Sequence, residues 1–449
     1  MNNIAKPSQA AKHPTILIER LSHDGRGIGH VNGMVAFVSN ALPNEEVTVQ
    51  FHRKHPTFYE GIAVSHITSS QERITPQCQH FGVCGGCQLQ YMDNTLQMQF
   101  KMEAILQQLQ HFGNIQPTTI LPPLHSPAYG YRRKARLGIK YVYKKGRLLI
   151  GFREKKSRYL ADLTACHVLH PKIGQHFDAL RECIAQLSIF EEIPQVEVAM
   201  GDDDCALVFR HLSDFSPLDL TQLQQFGEQH DFHIYLQPNA PLPITKLWPL
   251  DQKERLTYSL PDHNLQFNFH PLDFTQINLE VNRAMIKQAV TLLDPKENET
   301  ILDLFCGIGN FSLPIAKRAK SVLGVEGSET MVSRAYENAT LNTVHNVAFV
   351  AANLQDTEET QAAVWANQRF DKILLDPPRT GAKEILPLID KWQANRIVYV
   401  SCNPATLARD AGDLVHLLHY QLTSLGMMNM FPHTSHVETI AIFDRTTRK

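Results

Sequence analysis

The chain has 449 residues, 43% of them hydrophobic and 20% charged, a mix that folds around buried cores and excludes global disorder and fibrous repeats. Its 43 Lys and Arg against 45 Asp and Glu leave a formal net charge of −2, which excludes a uniformly basic nucleic-acid coat but leaves room for a local basic patch. No apolar run approaches the roughly 18 residues of a transmembrane helix, residues 1–12 lack the apolar core of a secretory signal, and the length points to about three domains.

Residues 1–14 read as a flexible tail. The next stretch, to residue 68, reads as all-β. Thr15-Ile16-Leu17-Ile18, Met34-Val35-Ala36-Phe37-Val38 and Glu46-Val47-Thr48-Val49 are rich in β-branched residues. Asp24-Gly25, Gly27-Ile28-Gly29, Asn32-Gly33 and Pro43-Asn44 punctuate them as turns. Several short strands in so few residues predict a small, OB-like closed barrel over 15–70.

Cys78, Cys84 and Cys87 place three thiols within ten residues, and Gly82, Gly85 and Gly86 let the backbone fold around a ligand. The eight cysteines of the chain are too few for a disulfide scaffold. With no export signal the cytoplasm is the expected compartment, where clustered cysteines more often hold metal or do chemistry. Structural zinc usually draws on paired C-x2-C knuckles. Three close cysteines and a distant fourth fit a cubane [4Fe–4S] cluster, with zinc held by four cysteines as the alternative. A helix is expected near residues 96–109.

Residues 75–265 are taken as one central, mixed α/β domain. Within it, residues 132–158 carry twelve Lys and Arg and one acid, Glu154, interleaved with or flanked by Tyr129, Tyr131, Tyr141, Tyr143, Phe152 and Tyr159. Such a stretch suits phosphate neutralisation and base stacking, and equally a solvated strand face.

Over 266–449 short apolar strands alternate with helical stretches, the signature of βαβ units and a parallel, Rossmann-like sheet. Ile301-Leu302-Asp303-Leu304-Phe305 runs into Cys306-Gly307-Ile308-Gly309-Asn310 and then a helix. Glycines there let a ligand approach backbone N–H groups at a helix start. The dinucleotide G-x-G-x-x-G pattern is incomplete, since Ser312 holds the third glycine position. The following strand ends in Glu326, placed to take ribose hydroxyls. The strand Ser321 to Val325 is followed by Val347 to Val350, which leads to Asn353, by Lys372 to Leu375, which ends in Asp376-Pro377-Pro378-Arg379, and by Arg396 to Val400, which ends in Ser401-Cys402-Asn403-Pro404. Open α/β sheets bind ligands at that carboxyl edge.

These segments carry a family resemblance. Asp303 to Phe311 resembles motif I of the RNA uracil-C5 methyltransferases. Leu375-Asp376-Pro377-Pro378-Arg379-Thr380-Gly381 resembles their D-P-P-R-x-G motif. Tyr399-Val400-Ser401-Cys402-Asn403-Pro404, continuing to Ala408-Arg409-Asp410, resembles their nucleophile motif, and Phe431-Pro432-His433-Thr434-Ser435-His436-Val437-Glu438 their base motif. Gly25-Arg26-Gly27-Ile28-Gly29 through Ala41-Leu42-Pro43 is similar to a TRAM domain, a small RNA-binding barrel. The resemblance spans nearly the whole chain. Barrel, cysteine cluster and catalytic domain together resemble the arrangement of one 23S rRNA branch of the family, whereas a shorter related branch lacks the barrel and a tRNA branch lacks both barrel and cluster.

The resemblance implies S-adenosyl-L-methionine as methyl donor, with Gln276, Phe305, Asn310, Glu326, Asn353 and Asp376 around it. It implies Cys402 as nucleophile and Glu438 as proton acceptor, with His433 and His436 as lesser candidates, and Cys166 as fourth cluster ligand, with Cys183 and Cys205 as alternatives. Cys306, in the cofactor turn, reads as packing. C5 of uracil is a poor nucleophile. A thiolate adding at C6 turns it into an enolate that accepts a methyl group, which is the logic of covalent catalysis. The implied substrate is a flipped or single-stranded uracil in 23S rRNA. No membrane or protein partner is implied and a monomer is expected. A tRNA or other rRNA target stays open, as does an RNA-binding iron–sulfur sensor without turnover. An amino-group methyltransferase, the other user of D-P-P motifs, would need no covalent nucleophile.

Overall fold

A computed structural model describes residues 13–239, 243–250 and 254–446; nearly all of the tail expected over 1–14 lies outside them. The chain folds as two compact units. The first takes residues up to Gln77, Gln88–Ala104 and His433–Ser435; the second takes Cys78–Cys87, Ile105–Pro432 and the chain from His436 on. Among the described residues no helix is long and apolar enough to cross a membrane.

The first unit holds strands β1 (Thr15–Leu17), β2 (Arg20–Leu21), β3 (Gly27–Val31), β4 (Met34–Ser39), β5 (Glu46–Lys54) and β6 (Phe58–His66). Their order is β1-β5-β6-β4-β3-β2. Strands β1 and β2 are two halves of one bent strand. Ile18 N–H donates to Glu45 O and Glu19 N–H to Ile28 O, each at 2.8 Å, so the strand pairs β5 with one half and β3 with the other, and the sheet closes. Closure needs Gly29, where a Cβ would stand 2.5 Å from both Ile16 Cγ2 and Leu17 O. The alternating apolar residues Ile16, Ile18, Ala36, Val38, Val47 and Val49 fill the interior. Helix α1 (Asn94–Gln108) begins in the same unit, and its buried Gln97 accepts from His433 N–H at 2.8 Å.

The second unit opens with the short β7 (Thr119–Ile120) and continues through β8 (Lys134–Val142), β9 (Arg147–Gly151), α2 (Pro171–Gly174), α3 (Phe177–Ala185), β10 (Gln195–Met200), β11 (Cys205–His211), α4 (Pro217–His230), β12 (His233–Pro238) and β13 (Thr245–Trp248). Strands β8 to β13 form a sheet of order β13-β12-β11-β10-β8-β9, packed on α3 and α4 through Leu137, Ile150, Leu180, Val196, Val198, Phe209 and Leu223. The basic stretch is not one exposed stripe. Arg133 donates to the Gly201 and Asp202 carbonyls, Lys134 Nζ to the Asp273 carbonyl, Arg136 pairs with Glu197 and Arg147 with Asp162. The exposed part is Arg136, Lys140, Lys144, Lys145, Arg147, Arg153, Lys156 and Arg158.

The hairpin β14 (Leu256–Leu260) and β15 (Leu265–Phe269) and helix α5 (Leu279–Leu293) lead into a doubly wound sheet. Its elements are β16 (Thr300–Leu304), α6 (Ser312–Ala316), β17 (Ser321–Glu326), α7 (Glu329–Leu341), β18 (Val347–Ala351), α8 (Thr357–Ala362), β19 (Lys372–Leu375), α9 (Leu386–Trp392), β20 (Arg396–Ser401), α10 (Pro404–His416), β21 (Tyr420–Met428) and β22 (Glu438–Arg445). The strand order is β18-β17-β16-β19-β20-β22-β21-β7, parallel through β20 and antiparallel at β22 and β21. The five parallel strands fall within one residue of the runs read from sequence. They are apolar without alternation because both faces are covered, β19 being buried at all four positions. The order reverses between β16 and β19, which opens a crevice at their carboxyl ends.

Candidate active site

The crevice is a cavity of about 620 Å³. Its lining includes Gln276, Phe305, Glu326, Asn353, Asp376, Cys402 and Glu438, so seven residues from segments scattered over 160 positions meet in one place. Asn310 lines a smaller adjoining cavity with Tyr258, Phe274, Gln276, Phe305 and Asp376. Its amide is already engaged: Oδ1 accepts from Tyr258 Oη at 2.7 Å and Nδ2 donates to Asn282 Oδ1 at 3.0 Å.

The turn after β16 is shaped for close approach. Phe305, Gly307 and Gly309 all have positive φ, and an added Cβ at Gly307 would meet nothing within 4 Å, so its backbone faces open space. Both oxygens of Glu326 are held from below, Oε2 by Gly307 N–H and Oε1 by Ser328 N–H, each at 3.1 Å. Asp303, wholly buried, accepts from Ser312 Oγ at 2.5 Å, and burial pushes its carboxyl up to about 7. The serine where a dinucleotide fold has glycine is therefore tied to the acid of the preceding strand. Cys306 is 3% exposed and packs in the core.

Cys402 follows β20 directly. Asn403 caps α10 by accepting from Ala405 N–H at 3.1 Å, with Pro404 at the first helical position. Asn403 Nδ2 and Thr406 Oγ1 both donate to Arg379 O. Asp410 accepts from Tyr399 Oη and Ala382 N–H, each at 2.7 Å. Gly381 has φ +82°, and a Cβ there would lie 2.5 Å from Asp410 Oδ2. The D-P-P-R-x-G loop and the nucleophile segment are thus one locked piece, and the glycine is required twice over. Glu438 opens β22 on the neighbouring strand, beside the Ser401↔Thr439 pair, and is 8% exposed.

Electrostatics couple these groups. Burial, reinforced by Glu438 and Asp376, pushes the Cys402 thiol up to about 11. Burial, reinforced by Asp376, pushes Glu438 up to about 8, and burial alone pushes Asp376 to about 7. Arg379 pulls both Cys402 and Glu438 back down. Its guanidinium lies 3.4 Å from His436 Nδ1, and exposed His436 lines the cavity. His433 does not; it is 2% exposed and held by Gln97.

The sequence profile of the tRNA (Uracil-5-)-methyltransferase family matches residues 93–446. The chain belongs to that family. A TRAM domain profile matches residues 12–64. Among curated relatives, the 23S rRNA (uracil(1939)-C(5))-methyltransferase RlmD of Alcanivorax borkumensis is 48% identical over 96% of this chain and 96% of its own. That of Methylococcus capsulatus is 47% identical over 95% of this chain and 96% of its own. The crystal structure of the Pyrococcus abyssi tRNA (uracil-54, C5)-methyltransferase with S-adenosyl-L-homocysteine superposes with a TM-score of 0.74 at 25% identity, covering 96% of this chain and all of the other. The family's methyltransferase fold and the N-terminal TRAM domain are therefore those described above.

The cysteine loop lies apart from the cavity. Cys84 and Cys166 each sense Cys78, and Cys84 senses Cys166; Tyr131, whose hydroxyl is raised chiefly by burial, senses Cys87 and Cys166. Cys205 is part of the central core, and Cys84, Cys166 and Cys183 pack against it. Gly82 has φ +90°, and Gly85 lies so close to Arg153 O that a Cβ would stand at 2.8 Å. Among the described residues no three His, Cys, Asp or Glu side chains stand in the arrangement that holds a metal ion, so the thiols are neighbours without being set as ligands. Sequence reading missed Phe274, Met331 and Tyr258 at the cavities, because apolar and aromatic lining residues look like core until the sheet is assembled.

Proposed function

We propose that this protein methylates C5 of a uracil in 23S ribosomal RNA, with S-adenosyl-L-methionine as donor, Cys402 as nucleophile and Glu438 as proton acceptor. The observation that carries the reading is that Cys402 and Glu438 face one cavity with Gln276, Phe305, Glu326, Asn353 and Asp376. The 23S target rests on relatives of that activity at 47–48% identity across nearly the full chain.

Cys402 releases its thiol proton to water and, as thiolate, bonds through Sγ to C6, and the displaced C5–C6 electron pair moves onto C5 and O4. When bound, the cofactor supplies an electrophilic methyl group for C5. Glu438, as carboxylate, then takes the C5 proton; the freed pair restores the C5–C6 double bond and Cys402 leaves. Arg379 favours the charged forms of both groups. Glu326, gripped by two backbone N–H groups, presents its carboxylate to ribose hydroxyls.

Cys78, Cys84, Cys87 and Cys166 are the residues for a [4Fe–4S] cluster. Support comes from the mutual electrostatic reach of Cys78, Cys84 and Cys166, from Tyr131, which Cys87 and Cys166 both influence, and from glycines that let the loop close. Four thiolates leave no iron open, so the group orders the loop or positions RNA and enters no bond-making step. The barrel over 15–70 and the exposed lysines and arginines of the central domain over 75–265 bind RNA by phosphate contact and stacking, the catalytic domain spans 266–449, and the enzyme works in the cytoplasm.

Incubation of the protein with labelled S-adenosylmethionine and unmethylated 23S rRNA or tRNA, followed by mapping, tests this. Labelled 5-methyluridine in 23S rRNA is expected. Label in tRNA alone would move the substrate to the activity of the solved relative; label in neither would remove the enzymatic reading.

A further inference from the structure

Residues 270–278 cross the cavity as a strap. Phe274, Thr275, Gln276 and Ile277 line it, and both ends are tied down. At the far end Asn278 caps α5 and donates to Ser126 Oγ at 2.8 Å, while Ile277 O accepts from Arg133 N–H at 2.9 Å. At the near end Asp273 is the knot. Its Oδ2 accepts from His270 N–H at 2.7 Å and from Arg334 Nε at 3.0 Å, and its carbonyl accepts from Lys134 Nζ. Arg334 and Asp273 are only 5% and 6% exposed. Two opposite charges withdrawn from water hold a fixed geometry: Arg334 is itself braced by Glu337 one turn along α7, and separation would leave the Asp273 carboxylate without its cation.

Arg334 sits on α7, one turn beyond Met331, which lines the same cavity. The helix starts at Ser328, whose N–H holds Glu326. Two turns from Met331, Asn338 Nδ2 donates to Ile308 O in the turn after β16. One face of α7 thus touches the acid after β17, the glycine turn and, through Arg334, the strap.

We propose that Arg334, through its buried ion pair with Asp273, is a positioning residue that fixes the Phe274–Ile277 strap over the cofactor and so sets affinity for the methyl donor. The inference rests on the reading of this cavity as the S-adenosylmethionine site. Neither residue lines the cavity, so the effect passes through the strap.

The test is calorimetric binding of S-adenosylhomocysteine to the full chain, with steady-state kinetics and RNA binding measured in parallel. Arg334→Met is expected to weaken binding and raise KM for the donor about tenfold, the scale of a small misplacement in a binding segment. kcat at saturating donor and affinity for RNA should stay within about twofold, and Arg334→Lys should recover part of the loss. Arg396→Met, which breaks the remote Arg396–Asp444 pair, should leave donor affinity unchanged. If Arg334→Met does not fold, Lys134→Met, which removes one bond to the Asp273 carbonyl without stranding a buried charge, should still show the donor-specific rise. Unchanged donor affinity in a folded variant, or equal losses in donor binding, RNA binding and kcat, would overturn the proposal. Failure of the parent protein to bind S-adenosylhomocysteine would instead overturn the assignment of the cavity.

Discussion

Cys402 and Cys84 are both half-buried thiols pushed up to about 11, chiefly by burial, yet their neighbours differ. Around Cys402 the added pressure comes from two carboxylates, Glu438 and Asp376, and a cation, Arg379, opposes it. Around Cys84 it comes from two more thiols, Cys166 and Cys78, opposed by a single N–H from Gly86. A thiol among a carboxylate and a guanidinium has proton-transfer partners at hand, which is what addition and elimination need. A thiol among thiols has no proton partner, and a metal cation is the natural source of the missing charge. The two thiols differ in their environment rather than in their acidity, and it is on environment that the proposed roles of nucleophile and cluster ligand rest.

Four substitutions or titrations sharpen that contrast. Cys402→Ala is expected to lower methyl transfer at least about a thousandfold, as loss of a covalent nucleophile does, with S-adenosylhomocysteine affinity kept; undiminished turnover would put the chemistry elsewhere. Glu438→Gln should slow turnover about a hundredfold or more while a protein–RNA adduct accumulates on denaturing gels, and rapid release from that variant would reassign the base. Cys84→Ser should cost the protein its iron and sulfide and lower its melting temperature, yet leave donor affinity intact. Zinc in place of iron in the parent protein would refute the cluster. The smallest effect is in stability against pH. Glu438, Asp376 and Asp303 have their carboxyls raised to about 8, 7 and 7, so the folded state holds protons that the unfolded chain releases near pH 4. That contribution is complete below pH 4 and is lost as pH rises through about 7 to 8. The ligand-free melting temperature should therefore fall from about pH 5 to about pH 9, and Glu438→Gln should flatten the slope; an identical slope in the variant would contradict the assignment.

Much of this was legible in the sequence because parallel strands are continuous apolar runs whose carboxyl ends open on the cavity. Glu326, Asp376 and Cys402 could be placed from that rule before any coordinates. Other features depend on long-range closure. β21 and β7 carry no signal of their own; β21 forms on the edge that β22 offers, and β7 on the edge of β21. The basic stretch looked like one surface in sequence, but Arg133 and Lys134 are drawn inward by Gly201 and Asp273, partners 68 and 139 residues away, while Arg136 stays exposed beside Glu197. His433 and His436 are three residues apart and looked equivalent; one is buried against Gln97 and the other lines the cavity. Gln276 has no local signature, since what makes it part of the site is a strap knotted by Arg334 from another helix.

The most direct test of covalent catalysis uses a 23S rRNA fragment with 5-fluorouridine at the target, incubated with the protein and S-adenosylmethionine. Fluorine cannot leave C5 as a proton does, so the adduct should persist. Peptide mapping by mass spectrometry should find the methylated fluoropyrimidine on Cys402 Sγ. Attachment to another side chain, or a product free of protein, would contradict it.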